Sequence, residues 1–353
     1  MGIASRGGRR IVLFGFLLAL IAFPWLAQRI SADSTPAGAQ SPKLPLALAQ
    51  LPVAAAAEGG VRKVVIGVYV NQVKSISMLD NEFVVDFWVW FRWKGQGYAP
   101  LENFEIIGGA VESKVAEQTK ALPNDETYAA VRVTARIKKF FDVKRFPLDD
   151  HVLRIEVEDS QNEEHLVQFV PDVTNSQLDG AVRTPGWDIS DSRALVQQHA
   201  YTTNYGDNSL PTGKESNYSR FTFEIDLVRP GLGYLFKLFW SIYLSVVIGF
   251  VALLIKPTDL DPRFGLGVGA IFAAAASAYV VNAALPPTNV LTLSDKVNMI
   301  AVGFIFLSLF ESIFSLRFVY KEKQAASQKL DRICFVGLIV AYSLANLIAV
   351  TTA

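Results

Sequence analysis

Between Phe264 and Leu285 the chain runs for 22 residues without a charged side chain. That is about 33 Å of helix, enough to cross a bilayer. Its composition is unlike that of a lipid-facing helix. Leu, Ile and Phe are sparse while Gly and Ala abound, as where helices pack closely on one another. At helical spacing Gly265, Gly269, Phe272, Ala276 and Tyr279 fall on one stripe, small at one end and aromatic in the middle and toward the other. Asp261 and Arg263 stand at the first end, and Leu285-Pro286-Pro287 stops the helix at the other. Two readings remain open from this stretch alone: a tightly packed interior helix, or one of several copies that together surround a hole.

The rest of the chain divides by charge. There are 33 basic and 33 acidic residues, so nothing points to nucleic acid or another polyanion as partner. Charged residues concentrate before Arg229 and thin out sharply after it, as expected of a soluble half followed by a membrane half. The sole cysteine, Cys334, lies in an apolar run, so no intrachain disulfide exists. His151, His165 and His199 show no metal-ligand spacing, and the soluble half has neither a Gly-rich phosphate loop nor a G-x-S-x-G elbow. We therefore expect neither an enzyme nor a cofactor. The GLGVG run at 265–269 is intramembrane and is no nucleotide fingerprint.

Residues 1–32 read as a signal peptide: Arg6, Arg9 and Arg10 precede the apolar run Ile11–Phe23, and Ile30-Ser31-Ala32 offers a small-residue cleavage site. An uncleaved anchor helix is the alternative. Residues 33–60, rich in Ala, Pro, Gln and Ser, read as a disordered linker. From 61 to 229 the dominant period is two. Phe83, Val85, Phe87, Val89, Phe91 and Trp93 alternate with more polar neighbours, as do Val131 to Ile137, Leu153 to Val157 and Phe221 to Leu227. Strands with one apolar and one polar face, separated by turn residues, predict an all-β antiparallel sandwich. Trp88 and Trp90 fall on the outward face, where that core has no need of them, which makes both candidates for a ligand site or a subunit interface.

After Arg229-Pro230 come four apolar segments, 232–255, 264–285, 297–316 and 333–350, which make 230–353 a four-helix transmembrane domain. The connection 317–332 carries Arg317, Lys321, Lys323, Lys329 and Arg332 against Glu322 and Asp331. The positive-inside rule makes that loop cytoplasmic, with 61–229 and the C-terminus outside. An exported N-terminal domain requires the same orientation.

The run FFDVKRFPLDDHVLRIEVED from Phe140, with its Phe146-Pro147-Leu148-Asp149 turn, resembles the pentameric ligand-gated ion channels (the Cys-loop receptor superfamily), and among them the prokaryotic members that lack the bracketing cysteines. Gly186-Trp187-Asp188-Ile189, Tyr218 to Arg229-Pro230, Asn282 to Pro287 and Phe310-Glu311-Ser312 match family landmarks in order, so that the likeness covers about 61–350. The resemblance implies a homopentamer in a bacterial inner membrane, each subunit placing its second span around the pore. Asp261 then matches a ring of charge at the cytoplasmic mouth, Phe272 a mid-membrane ring that closes by dewetting, and Tyr279 the outer vestibule. Gly265 and Gly269 depart from the family's Ser or Thr. Asp261 favours cations as the permeant ions; Arg263 either opposes it or turns away toward a neighbouring helix or lipid headgroups.

In the family an agonist binds between subunits. Trp88 matches an aromatic of that site, the hairpin 199–217 brings Tyr201 and Tyr205, and the stretch from Glu158 to Glu164 supplies carboxylates where the family often has an aromatic. Aromatic faces with carboxylates suit a small cationic ligand, Ca²⁺ or protons, while acids on a solvated loop are the alternative. The resemblance also makes Asp80, Asp149 and Arg229 a coupling cluster, with Pro147 and Pro286 in the loops that meet there. Glu311, costly in lipid, should face a protein partner or water. Two other classes stay in view: a receptor of this fold that does not conduct, and a membrane enzyme or transporter subunit.

Overall fold

The computed structural model describes residues 60–203 and 216–352. The expected signal peptide and nearly all of the linker lie outside them, as does Tyr205. The described residues group into two compact units. One holds the strands. The other holds four long helices together with the loop Asp142–Asp149, which comes from between two strands of the first.

Among the described residues ten strands follow in order: β1 (Arg62–Ser77), β2 (Glu82–Lys94), β3 (Phe104–Ile106), β4 (Gly109–Leu122), β5 (Glu126–Lys138), β6 (His151–Asp159), β7 (Val167–Pro171), β8 (Gln177–Leu178), β9 (Asp188–Tyr201) and β10 (Ser216–Val228). One sheet runs β4-β5-β2-β1-β7, with β8 also on β1; the other runs β3-β6-β10-β9. The second is antiparallel throughout, but the first is mixed, because β7 and β8 pair parallel to β1. Alternation of apolar residues specifies which face of a strand is buried and is silent on strand direction. The apolar positions do face inward: Val64, Ile66, Val68 and Val70 of β1, Phe83 to Trp93 at odd positions of β2, and Phe221, Phe223, Ile225 and Leu227 of β10 are all buried. Contacts join the two sheets. Phe91 of β2 lies 5.8 Å from Phe104 of β3, ring to ring, and the Phe169 amide of β7 donates to Ser219 Oγ of β10 at 2.9 Å.

The helical unit comprises α1 (Gly231–Val251, extended by a 3-10 turn to Leu254), α2 (Leu260–Asn282), α3 (Leu293–Tyr320) and α4 (Gln324–Thr351). Among the described residues, four helices are long and apolar enough to cross a membrane. Helices α3 and α4 overrun the apolar segments into polar ends, because a helix continues while its backbone is satisfied. Thr292 and Asp295 form a capping box that starts α3 ahead of its apolar run. Within the bundle, Phe239, Ile242, Val246 and Phe250 of α1 pack with Ala270 and Ala274 of α2, Val297, Ala301 and Ile305 of α3, and Phe335 and Tyr342 of α4. Small and hydroxylated residues carry the close approaches, as expected where lipid removes the hydrophobic drive between helices. Ser241 and Ser277 hydroxyls meet at 2.6 Å, and Ser315 and Ser327 at 2.7 Å.

Gly267 makes the tightest crossing: a Cβ there would stand 2.2 Å from Leu309 Cδ2. Gly267→Val should therefore overpack the α2–α3 contact and cost about 1–3 kcal/mol, read as a lowered thermal midpoint in detergent. A second change, Leu309→Ala, should recover part of the loss; if it recovers none, the crossing is not where the strain falls.

Candidate functional site

Helix α2 has two faces set by its 3.6-residue period. Arg263, Gly267, Ala270, Ala274 and Val281 are buried against the rest of the helical unit. The other face is open. Asp261, Gly265, Gly269, Phe272, Ala276 and Tyr279, the stripe singled out from sequence, are all exposed in the single chain, Phe272 at 72% and Tyr279 at 78%. Nothing lies within 4 Å of where a Cβ on Gly265 or Gly269 would be. The small residues that let helices approach within the chain are thus Gly267, Ala270 and Ala274, and the stripe is free of that task. Pro286, buried, follows the end of the helix.

Arg263 takes the second of its two open readings. Its side chain is 0% exposed. Nη2 donates to Glu311 Oε2 of α3 at 3.0 Å and to Asp331 Oδ1 of α4 at 2.8 Å, Nε to Ser312 Oγ at 2.9 Å, and Nη1 to the Ile255 carbonyl at 3.0 Å. Glu311 has a protein partner, as its position required. Asp331, by sequence a charge of the 317–332 connection, belongs to α4 and faces Arg263.

In the strand unit the outward aromatics part company. Trp90 Nε1 donates to Asp172 Oδ2 at 3.2 Å, and its ring covers Gly67 so closely that a Cβ there would stand 2.3 Å from Cζ2. Trp90 is used inside its own sheet. Trp88 is half-buried in register with Tyr69 on one side and Arg132 on the other. The Tyr69 hydroxyl donates to Asp179 Oδ2 at 2.9 Å, which raises its pKa.

Glu158 differs from its expected setting. It belongs to β6 instead of a solvated loop, and it is 1% exposed. Arg220 of β10 pairs with its carboxylate, and the Tyr201 hydroxyl donates to Glu158 Oε2 at 3.0 Å while accepting from Arg220 Nη2 at 2.9 Å. Burial first, and then the hydrogen bond to Glu158, push the Tyr201 phenol up to about 12. Tyr201 also meets His199 and Tyr218 edge-on, with ring centroids 4.5 and 5.7 Å away. Asp159 accepts from the Tyr98 hydroxyl at 2.8 Å and from the Gln161 and Asn162 amides. Two carboxylates offered by sequence for a cationic ligand are thus engaged within the chain. Glu105, paired with Glu158 across β3 and β6, has its pKa raised by burial first and then by Glu158. Arg220 was missed. Its signal was present, since it stands on the polar parity of β10, beside Phe221.

The coupling residues fall in both units. Asp80, in the β1–β2 turn, exchanges hydrogen bonds with Ser77. Arg229, at the end of the strand unit, lies 3.5 Å over the Trp187 ring and donates to the Gly186 carbonyl and to Met78 Sδ, each at 3.2 Å. Pro147 and Asp149 are buried in the loop that joins the helical unit. There the Lys144 and Phe146 carbonyls accept from the first amides of α3, Leu293 at 2.9 Å and Ser294 at 3.1 Å. Leu148 packs against the helical core.

Removing Arg220 tests what Glu158 is for. Arg220→Gln would strand a carboxylate that is 1% exposed, a loss of about 3–5 kcal/mol in denaturant unfolding, and adding Glu158→Gln should return much of it. An Arg220→Gln protein as stable as the parent would mean that Glu158 does not depend on this pair. No protein-family model matches the chain, and no curated protein matches it.

Proposed function

We propose that the chain is one subunit of a homopentameric, ligand-gated, cation-selective channel. Five α2 helices surround the pore, and the strand unit, its two sheets stacked as a sandwich, lies outside the cytoplasm and takes the agonist between subunits. The observation that carries this reading is the open face of α2. Six residues at helical spacing, Asp261 to Tyr279, stay exposed while the opposite face is fully packed. The half of that face that carries Asp261, Gly265 and Gly269 is a poor match for acyl chains, which favours an aqueous axis or another copy as its neighbour. The order along that face suits conduction of cations: Asp261 at the end near the basic 317–332 connection, width at Gly265 and Gly269, and a constriction at Phe272. Five phenyl rings around an axis would exclude water, since an ion there would lose its hydration.

Phe272→Ala should lower that barrier and leave the channel leaky without agonist in planar bilayers. Currents no larger than the parent's would remove Phe272 from the constriction. Trp88 supplies the agonist test, since Trp90 is occupied within its sheet. Trp88→Ala should weaken the agonist response while assembly and melting stay near those of the parent. A Trp that packs subunits together would bury on the order of 200 Å², so its loss would break the pentamer first, and size-exclusion profiles beside dose–response curves separate the two.

A further inference from the structure

Asp261 and Arg263 are two residues apart, about 200° around a helix, and their surroundings are opposite. Asp261 is exposed on the open face of α2, whereas Arg263 is wholly enclosed on the packed face. Four groups from three other segments hold the guanidinium there: the Ile255 carbonyl beyond α1, Glu311 and Ser312 of α3, and Asp331 of α4. One guanidinium thus faces two carboxyl groups, one from each of two other helices. The planar fork of Arg supplies these donors at once, which a Lys ammonium on a single flexible stem does not reproduce.

We propose that Glu311 and Asp331 are positioning residues for ion selectivity: they draw Arg263 into the subunit interior and neutralise it, so that the charge a permeating ion meets at this mouth is the Asp261 carboxylate. The inference rests on the channel reading and gives it a division of labour. Two adjacent opposite charges on the pore-lining helix would otherwise largely cancel for an ion passing both. Burying the cation separates them. Neither Glu311 nor Asp331 touches the ion path; each acts through Arg263.

Reversal potentials under a salt gradient, recorded on purified full-length protein in planar bilayers, test this. Arg263→Gln should leave the cation-to-anion permeability ratio unchanged, whereas Asp261→Asn should lower it. Glu311→Gln with Asp331→Asn frees an uncompensated guanidinium and should lower the ratio about threefold or more. Adding Arg263→Gln to that pair should restore the parental ratio, a rescue that a merely structural role would not give. Asp331→Asn alone serves if the pair does not fold, with the same direction expected. The proposal is overturned if Arg263→Gln raises the ratio, or if neutralising the carboxylates leaves it unmoved.

Melting in detergent gives a second readout, independent of current. Arg263→Gln alone should melt below the parent because it leaves the buried Glu311 and the part-buried Asp331 without their cation, and the triple variant should recover most of that loss. If the parent carries no current while the melting pattern holds, the channel reading fails and the cluster stands as a device of the fold. If the melting pattern is absent, the latch itself fails.

Discussion

Two backbone hydrogen bonds join the most distinctive sequence motif of this chain to its membrane half. The Lys144 and Phe146 carbonyls accept from the Leu293 and Ser294 amides. The first amides of a helix have no intrahelical acceptor, and near a bilayer an unmet donor is costly. The Phe-Pro-Leu-Asp loop meets that need, with Thr292 and Asp295 capping the same helix end. Because the loop is covalently continuous with β5 and β6, the start of α3 is tied to strand ends by chain and by hydrogen bond together. The segment 283–292, which follows α2, ends at the same point.

Several polar groups of the helical unit face inward and in company. Ser241 meets Ser277 and Ser315 meets Ser327, Ser245 and Ser312 donate to the carbonyl one turn back, and the enclosed Arg263 guanidinium collects two carboxyl groups, a hydroxyl and a carbonyl. A bundle glued in this way fixes the rotation of each helix about its own axis, since turning α2 by one residue would take Arg263 out of reach of its partners. The rotation of α2 in turn decides which residues remain uncovered. The open stripe is a consequence of where Arg263 is held as much as of the stripe's own residues.

What could be read from sequence was what local periodicity encodes. The buried parity of β2 and β10, the four apolar helices and the face division of α2 all follow from residues two to four positions apart. Long-range partners were out of reach. Arg263 meets Glu311 and Asp331 across 48 and 68 residues, and Arg220 meets Glu158 across 62. No spacing rule announces such pairs, so Asp331 read as a loop charge and Glu158 as a ligand carboxylate. The parallel pairing of β7 with β1 was hidden for a related reason, because alternation is the same whichever way a strand runs. Trp90 shows the opposite case. Its outward parity was legible, but the glycine that makes room for its ring lies on another strand, at Gly67.

Helix α2 is also uneven along its length in a mechanical sense. Gly265, Gly267 and Gly269 crowd one stretch, whereas Ala270 and Ala273 to Ala276 dominate the next. Each glycine costs a helix about 1 kcal/mol relative to alanine, the best helix former. The glycine stretch is therefore the compliant half, with two of its three glycines unsupported by any neighbour, and the alanine stretch is the stiff one. The two stretches meet just before Phe272, so the aromatic positions of α2 stand on its stronger helix-forming half and the anchored Arg263 stands beside its weaker one.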